Sequence, residues 1–201
     1  MYRIYITLIE IMAAAVFIIP LWMLYHKICF HSWKRTMIYM VFAFYMTAVL
    51  ALVGFPNITL LKIEVTVNVI PFIYIISDFA NACLNVLLFI PFGFFLPILW
   101  EKFRNVKRTI VAGLLTTLFI EISQLFTGRA TDIDDVITNI LGTIIGYYIA
   151  CWFTKAFTGR VLENSKQSDF NLICGSVVIV MFFFQPFIST LLLCRYADTS
   201  A

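Results

Sequence analysis

The sequence predicts an all-α integral membrane protein, a helix bundle with about six transmembrane helices. Of its 201 residues, 62% are hydrophobic and only 12% are charged, and the charged fraction of an average soluble domain is about 25%. Several apolar runs also reach about 20 residues, the length of a helix that crosses a bilayer. A soluble fold is disfavoured because a chain of this size lacks the polar surface to cover so much apolar area. We expect one domain over residues 1–201.

Six apolar stretches are the candidate spans. They cover residues 4–25, 36–54, 80–100, 109–127, 133–153 and 171–194. The apolar run of the first stretch is longer than the short apolar core of a signal peptide, so we expect a retained helix. The segment VTVNVIPFIYII at 65–76 is too short to span and contains Pro71. We expect it to be interfacial or re-entrant.

The number of Lys and Arg residues alternates between high and low in successive loops along the chain. Ten of them fall in the loops 26–35, 101–108 and 154–170, and four fall in the termini and the other loops. Cytoplasmic loops carry the excess of positive charge. The count therefore predicts that both termini and the turn at 128–132 lie outside. The five cysteines form no CxxC pair or other metal-binding spacing.

The fourth predicted span carries a polar stripe. Thr117, Glu121, Gln124 and Gly128 fall at i, i+4, i+7 and i+11, on one face of a helix. Glu121 lies about five residues before the outer end, roughly 8 Å below the surface. A carboxyl group at that depth is costly, and it usually faces a polar interior or a partner.

The fifth span repeats this pattern. Its stripe is acidic at the outer end and small further in, with steps of three and four residues through Asp132, Asp135, Asn139, Gly142 and Gly146. We expect Gly142 and Gly146 to let a neighbouring helix approach closely.

The third span adds a polar outer end, with Asn81 and Asn85 one turn apart. Further along, Pro91 removes a backbone hydrogen bond and Gly93 adds freedom, so the sequence predicts a kink. Two interpretations of Pro91 stay open, an ordinary transmembrane proline or a broken helix beside a cavity. Three spans thus place polar residues in the same outer layer, which predicts one site open to the outside.

Structural interpretations of the same residues also stay open. Asp132 fits an N-cap, and Thr131 with Asp134 has the spacing of a capping box. Capping or solvation is the preferred interpretation of Asp134, whereas Asp135 and Asn139 lie further in and favour a site. Glu121 also has a structural alternative, an ion pair with Arg129.

Two blocks of this sequence closely resemble the VanZ-like family of small bacterial membrane proteins. They are NVLLFIPFGFFLP at 85–97 and IEISQLFTGRATDIDDVITNILGTIIGY at 120–147, within a matching core at 85–150. The family pattern carries over to Asn85, Pro91, Gly93, Glu121, Gln124, Arg129, Asp132, Asp134, Asp135, Asn139, Gly142 and Gly146. The resemblance implies a multi-pass protein of the bacterial cell membrane, linked to the cell envelope and to susceptibility to teicoplanin-type glycopeptides.

The favoured hypothesis is a non-enzymatic envelope protein without a cofactor. Its polar pocket would bind a cell-wall precursor, a lipid carrier or a glycopeptide, with the bilayer and no nucleic acid as further partners. The pocket residues would be Asn85, Glu121, Gln124, Arg129, Asp132, Asp135 and Asn139.

Two alternatives remain. One is an intramembrane enzyme acting on a polyprenyl-phosphate lipid, with Mg²⁺ on Asp134, Asp135 and Asn139, Glu121 as general base and Arg129 as phosphate clamp. The other is a small lipid or solute transporter, for which a homo-oligomer would supply the missing second repeat.

Overall fold

The structure is a computed structural model that describes residues 2–59, 61, 67–68, 70–72, 78–129, 131–156 and 166–199. Its regular elements are almost entirely helical. Long helices are α1 (Tyr2–Tyr25), α2 (Trp33–Val53), α3 (Phe79–Leu99), α4 (Val106–Gln124) and α5 (Ile133–Ala156), followed by α6 (Gln167–Ile179) and α7 (Gln185–Thr199). Five-residue π-helical turns follow α1 at His26–Phe30 and join α6 to α7 at Val180–Phe184. The predicted all-helical class is confirmed.

Each predicted span coincides with a helical segment. Among the described residues, five helices are long and apolar enough to cross a membrane: Ile4–Phe30, Trp33–Val53, Phe79–Leu99, Ile133–Thr154 and Gln167–Leu192. The remaining predicted span, 109–127, corresponds to α4, which carries Lys107, Arg108 and Glu121 among its 19 residues. The side of the membrane on which the termini lie stays a prediction.

The chain divides into two compact units, Met1–Leu61 with Asn171–Ala201, and Lys62–Phe170. In the first unit, α1 runs antiparallel to the last helical segment. The Tyr25 hydroxyl lies 2.8 Å from Oγ of Ser176, and the rings of Phe17 and Phe184 are 5.3 Å apart. In this unit α2 ends at Gly54, whose φ of 71° provides the left-handed cap that glycine adopts without strain.

The second unit contains every candidate site residue, and its main contact is between α3 and α5. A Cβ atom on Gly93 would strike the carbonyl oxygen of Thr143, one on Gly142 that of Val86, and one on Gly146 that of Ile90. The two backbones therefore meet without intervening side chains, as small residues allow between membrane helices. The predicted packing role of Gly142 and Gly146 is confirmed.

Helix α3 is continuous through Pro91 and Pro97. The broken-helix interpretation of Pro91 is therefore wrong, and Pro91 is a helical residue within a span. Membrane helices tolerate proline because neighbouring groups and small local adjustments compensate for the missing hydrogen bond.

Helix α4 has two contrasting faces. Its buried face carries Thr109, Gly113, Thr117, Glu121 and Gln124. Three of these residues belong to the predicted stripe, whereas its fourth member, Gly128, lies in the turn after the helix. Its exposed face is apolar, with Val111, Leu115, Leu118 and Ile122 at helical spacing. The polar stripe turns towards α5, because Gly113 faces the side chain of Thr143, whose Oγ1 would lie 2.8 Å from an added Cβ. Polar groups thus face the protein and apolar groups face outwards.

Candidate functional site

The turn between α4 and α5 folds back over the end of α4. The Gln124 carbonyl accepts hydrogen bonds from the N–H groups of Thr127 (3.0 Å) and Arg129 (3.2 Å). Gly128 lies between them with φ of 67°, a conformation that a β-carbon would strain. The Thr131 hydroxyl then donates to the Glu121 carbonyl at 3.0 Å. These bonds carry the chain back to the level of Glu121.

Glu121 is the buried carboxylate of α4, with 2% of its surface exposed. Its Oε2 atom accepts a hydrogen bond from the Asp132 N–H at 3.0 Å. The same carboxylate interacts electrostatically with Asp132, Asp135 and Arg129. The attraction between Glu121 and Arg129 is thus one of several interactions of this carboxylate. Glu121 also binds the start of α5 through the Asp132 N–H.

Asp132 caps α5, as one interpretation of the sequence predicted. Its Oδ1 atom accepts from the Asp134 N–H at 2.9 Å. The same oxygen accepts from Nδ2 of Asn68 at 3.1 Å, and the two residues pair along a short parallel bridge between β1 (Val67–Asn68) and β2 (Thr131–Asp132). The connection before α3 therefore contributes a side chain to the site.

Asn68 was not among the predicted site residues. A polar residue inside the apolar run 65–76 was the available signal, but it did not indicate a partner. The described part of that run pairs with the α4–α5 turn. Most of the predicted interfacial or re-entrant segment lies outside the described residues.

The surroundings of Asp134 do not match the preferred interpretation, which was capping or solvation. Asp134 is 3% exposed, so it is not solvated, and its Oδ1 accepts from the backbone N–H of Phe72 at 2.6 Å. The capping box with Thr131 is also wrong, because the cap is Asp132 and the Thr131 hydroxyl donates to Glu121 instead. Spacing along a single helix could not show that an earlier connection would cover Asp134.

Asp135 and Asn85 join α5 to α3. Nδ2 of Asn85 donates to Oδ1 of Asp135 at 2.6 Å. Asn81, one turn earlier on α3, is exposed, and its backbone N–H is capped by Asp78 at 3.3 Å. The sequence placed both Asn residues in the outer layer, but only Asn85 contacts a carboxylate of α5 among the described residues.

Asn139 forms the next layer, one turn below Asp135. Its Nδ2 donates to Oγ1 of Thr117 on α4 at 2.9 Å, and the side chain is 4% exposed. Its Oδ1 has no hydrogen-bond partner among the residues that the structure describes. The polar layer thus continues inwards and ends on an acceptor that is buried.

The remaining predicted residues lie around this network. Gln124 is 6% exposed, and Arg129 is half-buried and interacts electrostatically with Glu121 and Asp135. The structure therefore places all seven predicted pocket residues at the end of α4, the start of α5 and the adjacent turn of α3.

A metal centre gains no support from this geometry. Within the described ranges, no three His, Cys, Asp or Glu side chains are grouped so as to hold a metal ion. The three ligands considered for Mg²⁺ bond to separate neighbours: Asp134 to Phe72, Asp135 to Asn85, and Asn139 to Thr117. The arrangement is better suited to accepting hydrogen bonds from a ligand at several levels.

Comparisons with known proteins agree with the site's position in the chain. A family model described as VanZ/LLP1 matches residues 36–154, more than half of the chain. Protein VanZ from Enterococcus faecium is 30% identical over 88 residues, which are 44% of this chain and 55% of that protein. The chain thus spans about half the length of this curated relative. No solved structure matches the chain.

Proposed function

Because the chain belongs to the VanZ/LLP1 family, we propose that this VanZ-like membrane protein acts in the bacterial cell envelope and lowers susceptibility to teicoplanin-type glycopeptides. In this proposal, the polar site at the α4–α5 turn binds a cell-wall component or a lipid-linked ligand. The distribution of Lys and Arg, ten against four, supports an outward-facing site.

The observation that carries the proposal is the set of three carboxylates at one end of the second unit. Glu121, Asp132 and Asp135 interact electrostatically with one another, which is unfavourable for like charges. A carboxylate within a membrane protein already costs roughly 2.5–3.5 kcal/mol near the bilayer centre, and less near its edge. Neutral amide side chains could accept the same structural hydrogen bonds, so the choice of three acidic groups favours a ligand site.

The network also has the rigidity that a binding site needs. Each carboxylate is held by a bond to another part of the chain, Glu121 by the α5 start, Asp132 by Asn68 and Asp135 by Asn85. The free energy of ordering these side chains is therefore spent in folding rather than in binding. Arg129 supplies a positive charge at the rim, suited to a phosphate or carboxylate on the same ligand.

A ligand bound at this site would change which molecules a glycopeptide can bind at the outer face of the cytoplasmic membrane. A bound precursor or carrier lipid would be withdrawn from the drug, or a bound drug would be held away from its target. Both routes require the polar site and no chemical reaction.

The test is drug susceptibility of a Gram-positive host that expresses the protein. Wild type, Glu121→Gln and Asp135→Asn are compared at matched membrane levels, with teicoplanin and vancomycin. Glu101→Gln is the control, because Glu101 lies in a 3₁₀ turn before α4 and its side chain is 84% exposed.

We expect wild type and Glu101→Gln to protect selectively against teicoplanin, and the two site variants to lose that protection. Full protection by Glu121→Gln and Asp135→Asn would contradict the role of the site. Protection by none of the four proteins would contradict the function in glycopeptide susceptibility.

A further inference from the structure

We propose that the site recognises a primary ammonium group, presented by an amine-bearing ligand at the membrane surface. The inference rests on the proposed function, because it names the chemistry of the ligand that the same site would bind. Charge, unused hydrogen-bond acceptors and one buried amide carry it.

The site has an excess of negative charge. Glu121, Asp132 and Asp135 are mutually within electrostatic range. Arg129 is the cation that interacts with both Glu121 and Asp135. The described residues here thus include more carboxyl groups than cationic side chains, and a cationic ligand would reduce the repulsion among the ionised forms of these carboxyl groups.

The protein supplies only neutral hydrogen-bond donors to these three carboxylates within its described part. They are the backbone N–H groups of Asp132 and Asp134 and the side-chain amides of Asn68 and Asn85. These bonds engage one oxygen of each carboxylate, Oε2 of Glu121, Oδ1 of Asp132 and Oδ1 of Asp135. The described residues give the remaining oxygens no further hydrogen bond, which leaves these oxygens as acceptors for a ligand.

Asn139 provides an independent observation. Its side chain is 4% exposed, and Oδ1 has no partner within the described part of the chain. Helical side chains lean towards the N-terminus of their helix, which for Asn139 is the direction of Asp135. Because Nδ2 is held by Thr117, Oδ1 is the polar atom of this side chain that remains available to a ligand donor. A buried acceptor without a donor is unfavourable, and a ligand donor would satisfy it.

An alkylammonium ion matches this set of groups. It is positively charged and has three N–H donors and no acceptor. The acceptors belong to two helices and to two levels one turn apart, with Glu121 and Asp135 above Asn139. A compact ion with rotatable donors fits such an arrangement better than guanidinium, whose donors lie in one plane.

The ammonium group can come from a lipid head group or from a free amine, and one titration separates these sources. The purified full-length chain in detergent is titrated by calorimetry with short-chain phosphatidylethanolamine, short-chain phosphatidylcholine and ethanolamine. Phosphatidylcholine is the matched control, because it carries the same phosphate and the same charge but its quaternary ammonium has no N–H donor.

We expect wild type to bind phosphatidylethanolamine about tenfold more tightly than phosphatidylcholine, the effect of one hydrogen bond to a charged group. Comparable binding of free ethanolamine identifies the ammonium group alone as sufficient, whereas binding restricted to phosphatidylethanolamine identifies a lipid head group. Both outcomes support the inference. Equal binding of the two phospholipids, or binding of none of the three compounds, overturns it without requiring any variant to fold.

Variants locate the binding site. Glu121→Gln and Asp135→Asn should lose the preference for phosphatidylethanolamine, and Glu101→Gln should retain it. Retention of the preference by both site variants would place the ammonium elsewhere and overturn the inference. Because no drug is present, this result is obtained separately from the susceptibility test, so a failure of ammonium recognition is distinguishable from a failure of the proposed function.

Discussion

Nδ2 of Asn85 lies 2.6 Å from Oδ1 of Asp135 and joins α3 to α5 across 50 positions of sequence. This hydrogen bond connects α3 to the layer formed by the carboxylates of Glu121, Asp132 and Asp135. It lies at the start of the closest helix pair of the second unit, where Gly142 and Gly146 bring the two backbones together.

The Asn85–Asp135 bond should show measurable coupling in stability. In a double-mutant cycle with Asn85→Ala and Asp135→Ala, both of which remove the bond, we expect a coupling free energy of about 1 kcal/mol, the range found for polar pairs between membrane helices. Unfolding in mixed micelles measures it. Asn81→Ala is the matched control, because this exposed residue lies one turn away, and coupling of equal size between Asn81 and Asp135 would contradict the assignment.

Gly146 should not tolerate even a methyl group. A Cβ atom at this position would collide with the Ile90 carbonyl oxygen, which is backbone and cannot rotate away. We expect Gly146→Ala to destabilise the fold by about 1–3 kcal/mol, the usual cost of overpacking. Thermal unfolding in detergent gives the comparison.

Gly175→Ala is the control for Gly146→Ala. Gly175 is exposed in α6 and an added Cβ would meet nothing within 4 Å. The substitution should therefore leave stability unchanged or raise it by up to about 1 kcal/mol through helix propensity. Equal losses at the two positions would show that close helix approach is not the cause.

Asp132 should act as a cap through its oxygen atom rather than through its charge. Asp132→Asn retains an acceptor for the Asp134 N–H, whereas Asp132→Ala removes it and also the bond to Asn68. We expect the alanine variant to lose about 1 kcal/mol of stability and the asparagine variant to lose clearly less. Equal losses in the same unfolding assay would mean that the negative charge, not the cap, stabilises this turn.

The α4–α5 turn should be accessible from outside the cell. Phe126→Cys and Lys102→Cys, both at exposed positions, are made in a chain whose five native cysteines are replaced by alanine. A membrane-impermeant maleimide added to intact cells should label position 126, and position 102 only after lysis. Labelling in the reverse order would invert the predicted topology.

The helices and their stripes were predictable because they are local and periodic. A stripe such as Thr117, Glu121 and Gln124 follows from the helical repeat alone, and its burial in α4 confirms it. The partners of those stripes were not predictable in the same way. Asn68 and the N–H of Phe72 come from a connection outside the helices, and its local sequence did not indicate that they bind Asp132 and Asp134.

Pro91 is a second case in which a local sequence rule did not determine the structure. The local rule, loss of one backbone hydrogen bond, predicted a kink and left a broken helix open as one of two interpretations. The helix nevertheless continues to Leu99, in a part of α3 where Gly93 packs against the backbone of α5. Contacts of this kind between helices are not visible in the sequence of a single span.

The two faces of α4 have a consequence for biogenesis. During synthesis, α4 leaves the ribosome before α5, and at that moment its polar face has no partner from α5. Acidic side chains oppose insertion by roughly 2.5–3.5 kcal/mol at a helix centre, and α4 is not among the helices apolar enough to cross a membrane by composition. The helix therefore depends on its successor, and we expect the translocon to release α4 and α5 into the lipid as a preassembled hairpin.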